Sequence, residues 1–286
     1  MIKLKRFLFF LLFVVGTILN FFIIQGNGSP NPNNREKNLA DILKKCSEYC
    51  ERLAQSSLFF VCEEKIEEKI YGYRYFGFSG RYRYTVSDPQ KVEKNSYLYD
   101  YQLIKKGSKI EERRILLEEN GKKKYKKNAE LKTMRFFSRR PIFGPVGLLN
   151  KDSQKLYDYK ILKEDSLAGR KVIVLETKPK TIIKNRPNYG KIWIDQEDSS
   201  ILMIETEEES LVGYETLKKE MEQQGLSPNL KATHYYYTKE KGLRFPSRTV
   251  FEESYSGAKL RGKIKKSETT FVYDNYRFFT VEVEVK

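Results

Sequence analysis

The stretch GKIWID, residues 190–195, alternates apolar and polar side chains with the period of two that is typical of a half-buried β-strand. Similar runs recur along the chain, and Asn120-Gly121 is a strong tight-turn signal after a hairpin pattern over residues 97–118. About ten or more strands with few long crossovers favour antiparallel pairing. The other strands are predicted at about 156–162, 171–178, 200–207, 231–238, 247–255, 259–272 and 278–285.

A helix and a first strand precede this array. Apolar residues at three-four spacing predict the helix over about 38–55, and they are Leu39, Ile42, Leu43, Cys46, Tyr49, Cys50 and Leu53. The period then changes to two, which places Phe60, Cys62, Ile66 and Ile70 on one face of a strand. Neighbours on a strand point to opposite faces, so the carboxylate pairs at 63–64 and 67–68 do not converge on one substrate bond, and we interpret them as part of a solvated face. Glu64 is the exception of interest, since it shares a face with Phe60 and Ile66.

The N-terminus predicts export. Lys3, Lys5 and Arg6 precede an apolar run from Phe7 to Ile24, and small polar residues follow, which is the layout of a secretory signal. An uncleaved membrane anchor stays open, because eighteen apolar residues approach the span of a bilayer. We therefore expect a signal peptide or anchor at 1–28, a linker at 29–37, one domain at 38–286, and a periplasmic location.

The amino-acid composition excludes some kinds of catalytic and metal site. The chain of 286 residues has one histidine, His234, and three cysteines, which excludes catalysis by two histidines and a histidine-rich metal site. His234 lies inside a predicted strand with no partner nearby in sequence, so we expect a structural role. We predict no enzyme activity, no catalytic residues, no metal and no cofactor.

The net charge of +16 is concentrated in one segment. Residues 105–140 carry fourteen basic and five acidic side chains. The run within it consists of Lys122, Lys123, Lys124, Lys126 and Lys127, around Tyr125. It is interpreted either as a solvated loop or as a contact with an anionic membrane surface. Nucleic acid is not an expected partner of an exported protein.

The three cysteines are close in sequence. Cys46 and Cys50 lie one helical turn apart, and Cys62 follows on the facing side of the first strand. Because disulfides persist in oxidising compartments, we predict a Cys50–Cys62 disulfide, with Cys46 as the substitute for Cys50 and the remaining thiol buried.

One segment is apolar but too broken by proline and glycine for a strand. It is FGPVGLL at residues 143–149, which we expect to cover the concave face of the sheet opposite Phe60 and Ile66. A movable cover over a ligand and a fixed core plug are both consistent with this pattern.

The order of these elements resembles the outer-membrane lipoprotein-sorting (LolA/LolB-like) superfamily of Gram-negative bacteria. The local similarities are LAGRKVIVLE at 167–176, YGKIWID at 189–195 and SILMIE at 200–205. The resemblance implies a mainly β (α+β) fold, in which a large antiparallel sheet curls into an incomplete β-barrel covered by an N-terminal helix and short helices. It also implies that lipid or lipoprotein acyl chains bind in the concavity.

The expected lipid-binding residues are Phe60, Ile66, Phe143, Val146, Leu148, Leu149 and Trp193. Periplasmic sensors share this fold, so an envelope adaptor or stress sensor that binds a protein partner is the alternative function.

Overall fold

The structure is a computed structural model. It describes residues 32–56, 60–73, 89, 91–106, 109–136, 140–181, 189–258, 260 and 262–279. The predicted signal or anchor at 1–28 lies outside these residues. None of the helices within them is long and apolar enough to cross a membrane. The chain divides into two units, 1–40 and 41–286; the described part of the first is the start of a helix, and the second holds the whole sheet.

Thirteen strands and four helices form the described part. The helices are α1 (Pro32–Ser56), α2 (Phe143–Leu149), α3 (Lys151–Gln154) and α4 (Tyr214–Gln223), with a 3-10 turn at Glu208–Ser210. The strands are β1 (Phe60–Gly72), β2 (Lys91–Lys106), β3 (Lys109–Glu119), β4 (Lys122–Lys126), β5 (Tyr157–Leu167), β6 (Arg170–Pro179), β7 (Gly190–Asp195), β8 (Ile201–Thr206), β9 (Ser227–Tyr235), β10 (Thr238–Glu240), β11 (Leu243–Phe245), β12 (Arg248–Ser256) and β13 (Ile264–Phe278).

Eleven strands form one antiparallel sheet in the order β4-β3-β2-β1-β13-β12-β9-β8-β7-β6-β5. Strands β4 and β5 are its two edges and do not pair with each other, so the sheet is not closed into a barrel. Strands β10 and β11 form a separate hairpin. The predicted fold class, a mainly antiparallel sheet with an N-terminal helix and short helices, is confirmed.

The β3–β4 turn forms where the sequence predicts it. Asn120 and Gly121 both have positive φ, 48° and 75°, which suits the tight hairpin turn that asparagine and glycine favour. Asn120 also accepts a hydrogen bond from the Ser96 amide at 2.8 Å through its side chain. The lysines after the turn lie in strand β4, and the interpretation of this run as a loop is wrong.

The register defines two faces, because paired residues on neighbouring strands point to the same side. We call the side of Ile66 the inner face. Its central row, from β2 to β6, is Tyr97, Ile66, Phe271, Thr249, His234, Ile204, Ile192 and Leu175. The adjacent row on the outer face is Leu98, Lys65, Val272, Arg248, Tyr235, Met203, Trp193 and Val174.

Helix α1 supplies part of the cover over the inner face. Cys46, Cys50 and Leu53 are fully buried, as the three-four spacing predicts. Tyr49 is buried beside β11, where its hydroxyl accepts a hydrogen bond from the Arg244 amide at 2.9 Å. The helix therefore packs through the face that the sequence marks as apolar.

Candidate functional site

Helix α2 is the cover segment that the sequence predicts, residues 143–149. It lies on the inner face, because a Cβ built on Gly144 would come within 2.6 Å of the Tyr236 hydroxyl and 3.5 Å of Ile204. Leu148 and Leu149 are buried, whereas Phe143 and Val146 are half-buried. The cover segment is closed on the sheet in this structure.

Three side-chain hydrogen bonds from α1, β5 and the end of β9 attach the cover segment and its approach, in addition to local bonds from Asn150 and Gln154. The Tyr236 hydroxyl donates to the Pro141 carbonyl at 3.0 Å, and the Cys50 thiol donates to the Pro145 carbonyl at 3.5 Å. The Tyr159 hydroxyl donates to the Leu148 carbonyl. Burial raises the pKa of Tyr236, so its hydroxyl remains a donor at neutral pH. Since the segment has no charged side chain, these bonds and apolar contacts are what hold it.

The other predicted lining residues are not all beside the cover segment. Phe60 is buried in an aromatic cluster, with ring centroids 5.6 Å from Phe245 and 5.2 Å from Tyr276. Ile66 is fully buried on the inner face. Trp193 lies on the outer face, so its prediction as part of the concave lining is wrong. The strand pattern at 190–195 shows that Ile192 and Trp193 face opposite ways but does not show which of them faces inward.

Two buried carboxylates on the inner face contradict the interpretation of the glutamate pairs as a solvated face. Glu64, which the sequence marks as the exception, and Glu68 are 0% and 1% exposed, and only the alternating residues Glu63 and Glu67 face outward. Their presence on the apolar face of the strand was the available signal.

Glu64 is paired with Arg114 of β3. The Arg114 guanidinium binds it through two hydrogen bonds, Nε to Oε2 at 2.6 Å and Nη2 to Oε1 at 3.1 Å. Burial raises the pKa of Glu64, against the opposing effect of the Arg114 charge. Arg114 also contacts Glu112 at 3.3 Å and lies over the Tyr101 ring at 4.7 Å.

A second covering element, the strap at residues 129–136, uses the other carboxylates. Glu68 accepts hydrogen bonds from the amides of Met134 and Arg135, both at 3.0 Å. Arg135 donates through Nε to Glu253 at 3.0 Å, and Glu253 is fully buried. The Phe136 ring stacks on Phe251 at 5.3 Å. The strap therefore covers the β1, β12 and β13 part of the inner face through charged and polar contacts.

A cavity with charged walls lies beside the strap. Its volume is about 850 Å³, and its walls include Glu111, Glu112, Arg114, Glu130 and Arg140. Such walls do not suit an acyl chain, since a hydrocarbon would displace the water from charged groups without replacing its hydrogen bonds.

All three cysteines are free and buried, and the predicted Cys50–Cys62 disulfide is absent from the structure. Cys50 is directed at the Pro145 carbonyl on the cover segment. Cys62 lies in β1, where it pairs with Tyr101 and has Tyr276 as a hydrogen-bonding neighbour. Spacing alone placed both thiols at one interface, but the two side chains have different neighbours. Burial raises the pKa of Cys46 to about 12 and also raises those of Cys50 and Cys62, so the thiols stay protonated.

His234 lies on the inner face, where its Nδ1 is 3.1 Å from the Thr249 hydroxyl. Its ring meets Phe251 edge-on at 6.0 Å. Burial lowers the pKa of His234 to about 4, so the ring is neutral at physiological pH. Within the described ranges, no group of three or more histidine, cysteine or acidic residues is arranged to hold a metal ion.

Solved structures of low sequence identity are similar to the chain. The chain is similar to an outer membrane lipoprotein-sorting protein domain from Vibrio parahaemolyticus, with 11% identity, 85% of this chain and 95% of that chain covered, and a TM-score of 0.40. It is similar to a LolA superfamily protein from Nitrosomonas europaea, with 13% identity, 85% and 94% covered, and a TM-score of 0.35.

A DUF1329 family protein from Desulfovibrio piger is also similar, with 13% identity, 82% of this chain and 92% of that chain covered, and a TM-score of 0.36. At these identities and TM-scores, the likeness implies nothing about function. No family model matches the chain, and no curated protein matches it in sequence.

Proposed function

We propose that this chain is an exported, non-enzymatic binding protein of the bacterial envelope, which receives a lipid or lipoprotein acyl chain on its inner face when the cover segment lifts. The observation that carries the proposal is the cover segment itself. It is an uncharged helix of seven residues with two glycines and a proline, lying on the apolar part of an open sheet. Its own helical tendency is weak, because glycine and proline both disfavour a helix interior.

The free-energy cost of lifting the cover segment can be compared with the gain from burying a hydrocarbon ligand in its place. Lifting the cover segment exposes two buried leucines, which costs about 3–6 kcal/mol. The three hydrogen bonds to the segment and its approach contribute about 1 kcal/mol each. Each buried methylene of an acyl chain returns about 0.8 kcal/mol, so about twelve methylenes offset the loss. Acyl chains of membrane lipids are long enough to compete.

The chemistry of the described side chains supports the proposal that the protein is not an enzyme. A nucleophile needs an activating base or a lowered pKa. The three thiols have raised pKa values, and the His234 ring contacts a threonine and a phenylalanine. These groups are suited to packing.

A cross-link that closes the cover segment tests the proposal. The Cys50 thiol contacts the carbonyl oxygen of residue 145 at 3.5 Å, so Pro145→Cys introduces a second thiol at the residue of the cover segment that Cys50 contacts. When oxidised, this variant should lose a fluorescent fatty-acid probe, and reduction should restore binding. Wild-type protein under the same two conditions is the control, and thiol counting confirms that the bond forms.

A half-buried pair supplies a second variant that spares the core. Phe143→Ser with Val146→Ser should weaken probe binding with a small shift in melting temperature, because both side chains are partly exposed already. Probe binding that is identical in the oxidised and reduced Pro145→Cys protein would refute the role of the cover segment.

A protein-binding adaptor is the second candidate, and the closed inner face favours it. Three cavities lined by described residues carry charged side chains on their walls. If the reduced, uncross-linked protein takes up no fatty-acid probe at any lipid concentration, this candidate replaces the first.

A further inference from the structure

The edge strand β4 is a concentrated basic surface. All residues from Lys122 to Lys127 are exposed, and five of these six are lysines. The lysines of a strand alternate between its two faces, so positive charge is present on both sides of the hairpin. Like charges at this spacing repel one another, and a surface of negative charge relieves that repulsion.

Tyr125 interrupts the lysines and is 71% exposed. The Lys127 ammonium lies 5.9 Å from the centre of its ring. A tyrosine has an apolar ring and a polar hydroxyl, and such side chains are enriched where hydrocarbon meets lipid headgroups. Solvation accounts for the exposed lysines but gives no stabilisation to an exposed aromatic ring among them.

The hairpin is held in a defined conformation. The turn at Asn120 and Gly121 is tied to β2 by two hydrogen bonds of 2.8 Å between Asn120 and Ser96. Strand β4 pairs with β3 through Lys122 and Glu119, Lys123 and Glu118. Among the residues that the structure describes, β4 is the last strand of the sheet, and none of them pairs with its far side. A planar partner can therefore meet several lysines at once without any change in the sheet.

We infer that the β3–β4 hairpin docks the protein on the surface of an anionic lipid bilayer, with the lysines on the headgroups and Tyr125 at the headgroup boundary. This inference is independent of whether the inner face binds an acyl chain. Each basic side chain near an anionic surface contributes favourably, and the attraction is screened within about 8 Å at physiological salt. Docking should therefore be strong at low salt and weak at high salt.

Neutralising the charge of the β4 edge gives the test, and the opposite edge of the sheet gives its control. One variant replaces Lys122, Lys123, Lys124, Lys126 and Lys127 by glutamine. The control replaces five exposed lysines of β5, β6 and the residue after them, which are Lys160, Lys163, Lys171, Lys178 and Lys180. Both variants change the net charge equally and keep the same N-terminus, so any association through residues 1–28 is common to them.

Cosedimentation with phosphatidylglycerol-containing vesicles at about 20 mM and 300 mM salt should separate the two. The hairpin variant should lose at least tenfold in its salt-sensitive affinity, and the control should change less than threefold. Equal losses in the two variants, or binding that salt does not weaken, would overturn the inference. Lysines that only protect an exposed edge from aggregation would change solubility and leave vesicle affinity as it was.

A local probe reports on the hairpin itself. The chain has one tryptophan, so Tyr125→Trp with Trp193→Phe places the sole indole in β4. Its emission should shift to the blue on phosphatidylglycerol vesicles and stay unchanged on phosphatidylcholine vesicles. A shift caused by soluble heparin but not by anionic vesicles would assign the surface to a soluble polyanion and refute the bilayer.

Discussion

The buried Glu64–Arg114 pair makes a quantitative prediction about stability. Glu64 is 0% exposed and Arg114 is 6% exposed, and two hydrogen bonds join them. Arg114→Met leaves the Glu64 carboxylate buried beside the negative charge of Glu112. Removing one member of a buried ion pair costs about 3–5 kcal/mol, which lowers the folding equilibrium constant by a factor of about 100 to several thousand.

Replacing both members distinguishes an uncompensated charge from simple loss of contacts. The double variant Glu64→Leu, Arg114→Met removes both charges of the pair, and Glu112 keeps its hydrogen bonds from the Tyr101 hydroxyl and the Arg140 amide. It is expected to recover at least 2 kcal/mol of that cost. Urea unfolding, followed by fluorescence and by circular dichroism, measures the free energy of unfolding of each variant. The slope against urea should be the same in all of them, since the exposed surface on unfolding is unchanged.

The pH dependence of the free energy of unfolding provides a second test of this prediction. Burial already raises the pKa of Glu64, and loss of Arg114 removes the charge that opposes this rise. In Arg114→Met the folded state therefore binds a proton more readily than the unfolded state, so stability should increase as pH falls from 7 to 5. Glu64→Gln with Arg114→Met lacks the titrating group and serves as the control.

A cost below 1 kcal/mol for Arg114→Met would refute the reasoning. So would a double variant whose destabilisation equals the sum of the two single variants. Either result would mean that water reaches the pair and screens it.

Three further outcomes are expected. Thiol counting on unfolded protein purified from an oxidising compartment should find three free thiols, and a count of one would restore the predicted disulfide. Burial lowers the pKa of His234 to about 4, so the free energy of unfolding should fall by up to about 3 kcal/mol as pH falls from 6.5 to 4, because the unfolded state then binds the extra proton. His234→Gln should flatten this part of the plot of stability against pH. An unchanged slope in this variant would contradict the lowered pKa of His234. Gly190→Ala should lower the free energy of unfolding by more than 3 kcal/mol in urea, since its Cβ would come within 2.1 Å of the Glu205 carbonyl oxygen in β8. Gly169→Ala, where a Cβ meets no atom within 4 Å, should destabilise the protein less and serves as the control.

Local patterns determined the elements of this fold. The period of two in 190–195, the asparagine-glycine turn at 120–121 and the three-four spacing of the first helix each appear in the structure where they were predicted. These features depend on neighbours in sequence, and a short window contains all the interactions that decide them. The openness of the sheet also follows the predicted class, with β4 and β5 as edges.

Tertiary structure decided what each face contacts. The same alternation that marks Ile192 and Trp193 as opposite does not say which of them faces the cover segment. Glu64 lies on an apolar face because Arg114, fifty residues away, neutralises it there. No pattern within the first strand contains that arginine.

The contacts of the cysteines and of the cover segment were also not determined by local sequence patterns. Helical spacing predicts that Cys50 is buried, but only the packed structure turns its thiol toward Pro145 and separates it from Cys62. The apolar run at 143–149 determines by itself that this segment must be covered, since its exposure would cost burial free energy. Its closed position is set by the hydroxyls of Tyr159 and Tyr236, which are distant in sequence and meet it only after the sheet has formed.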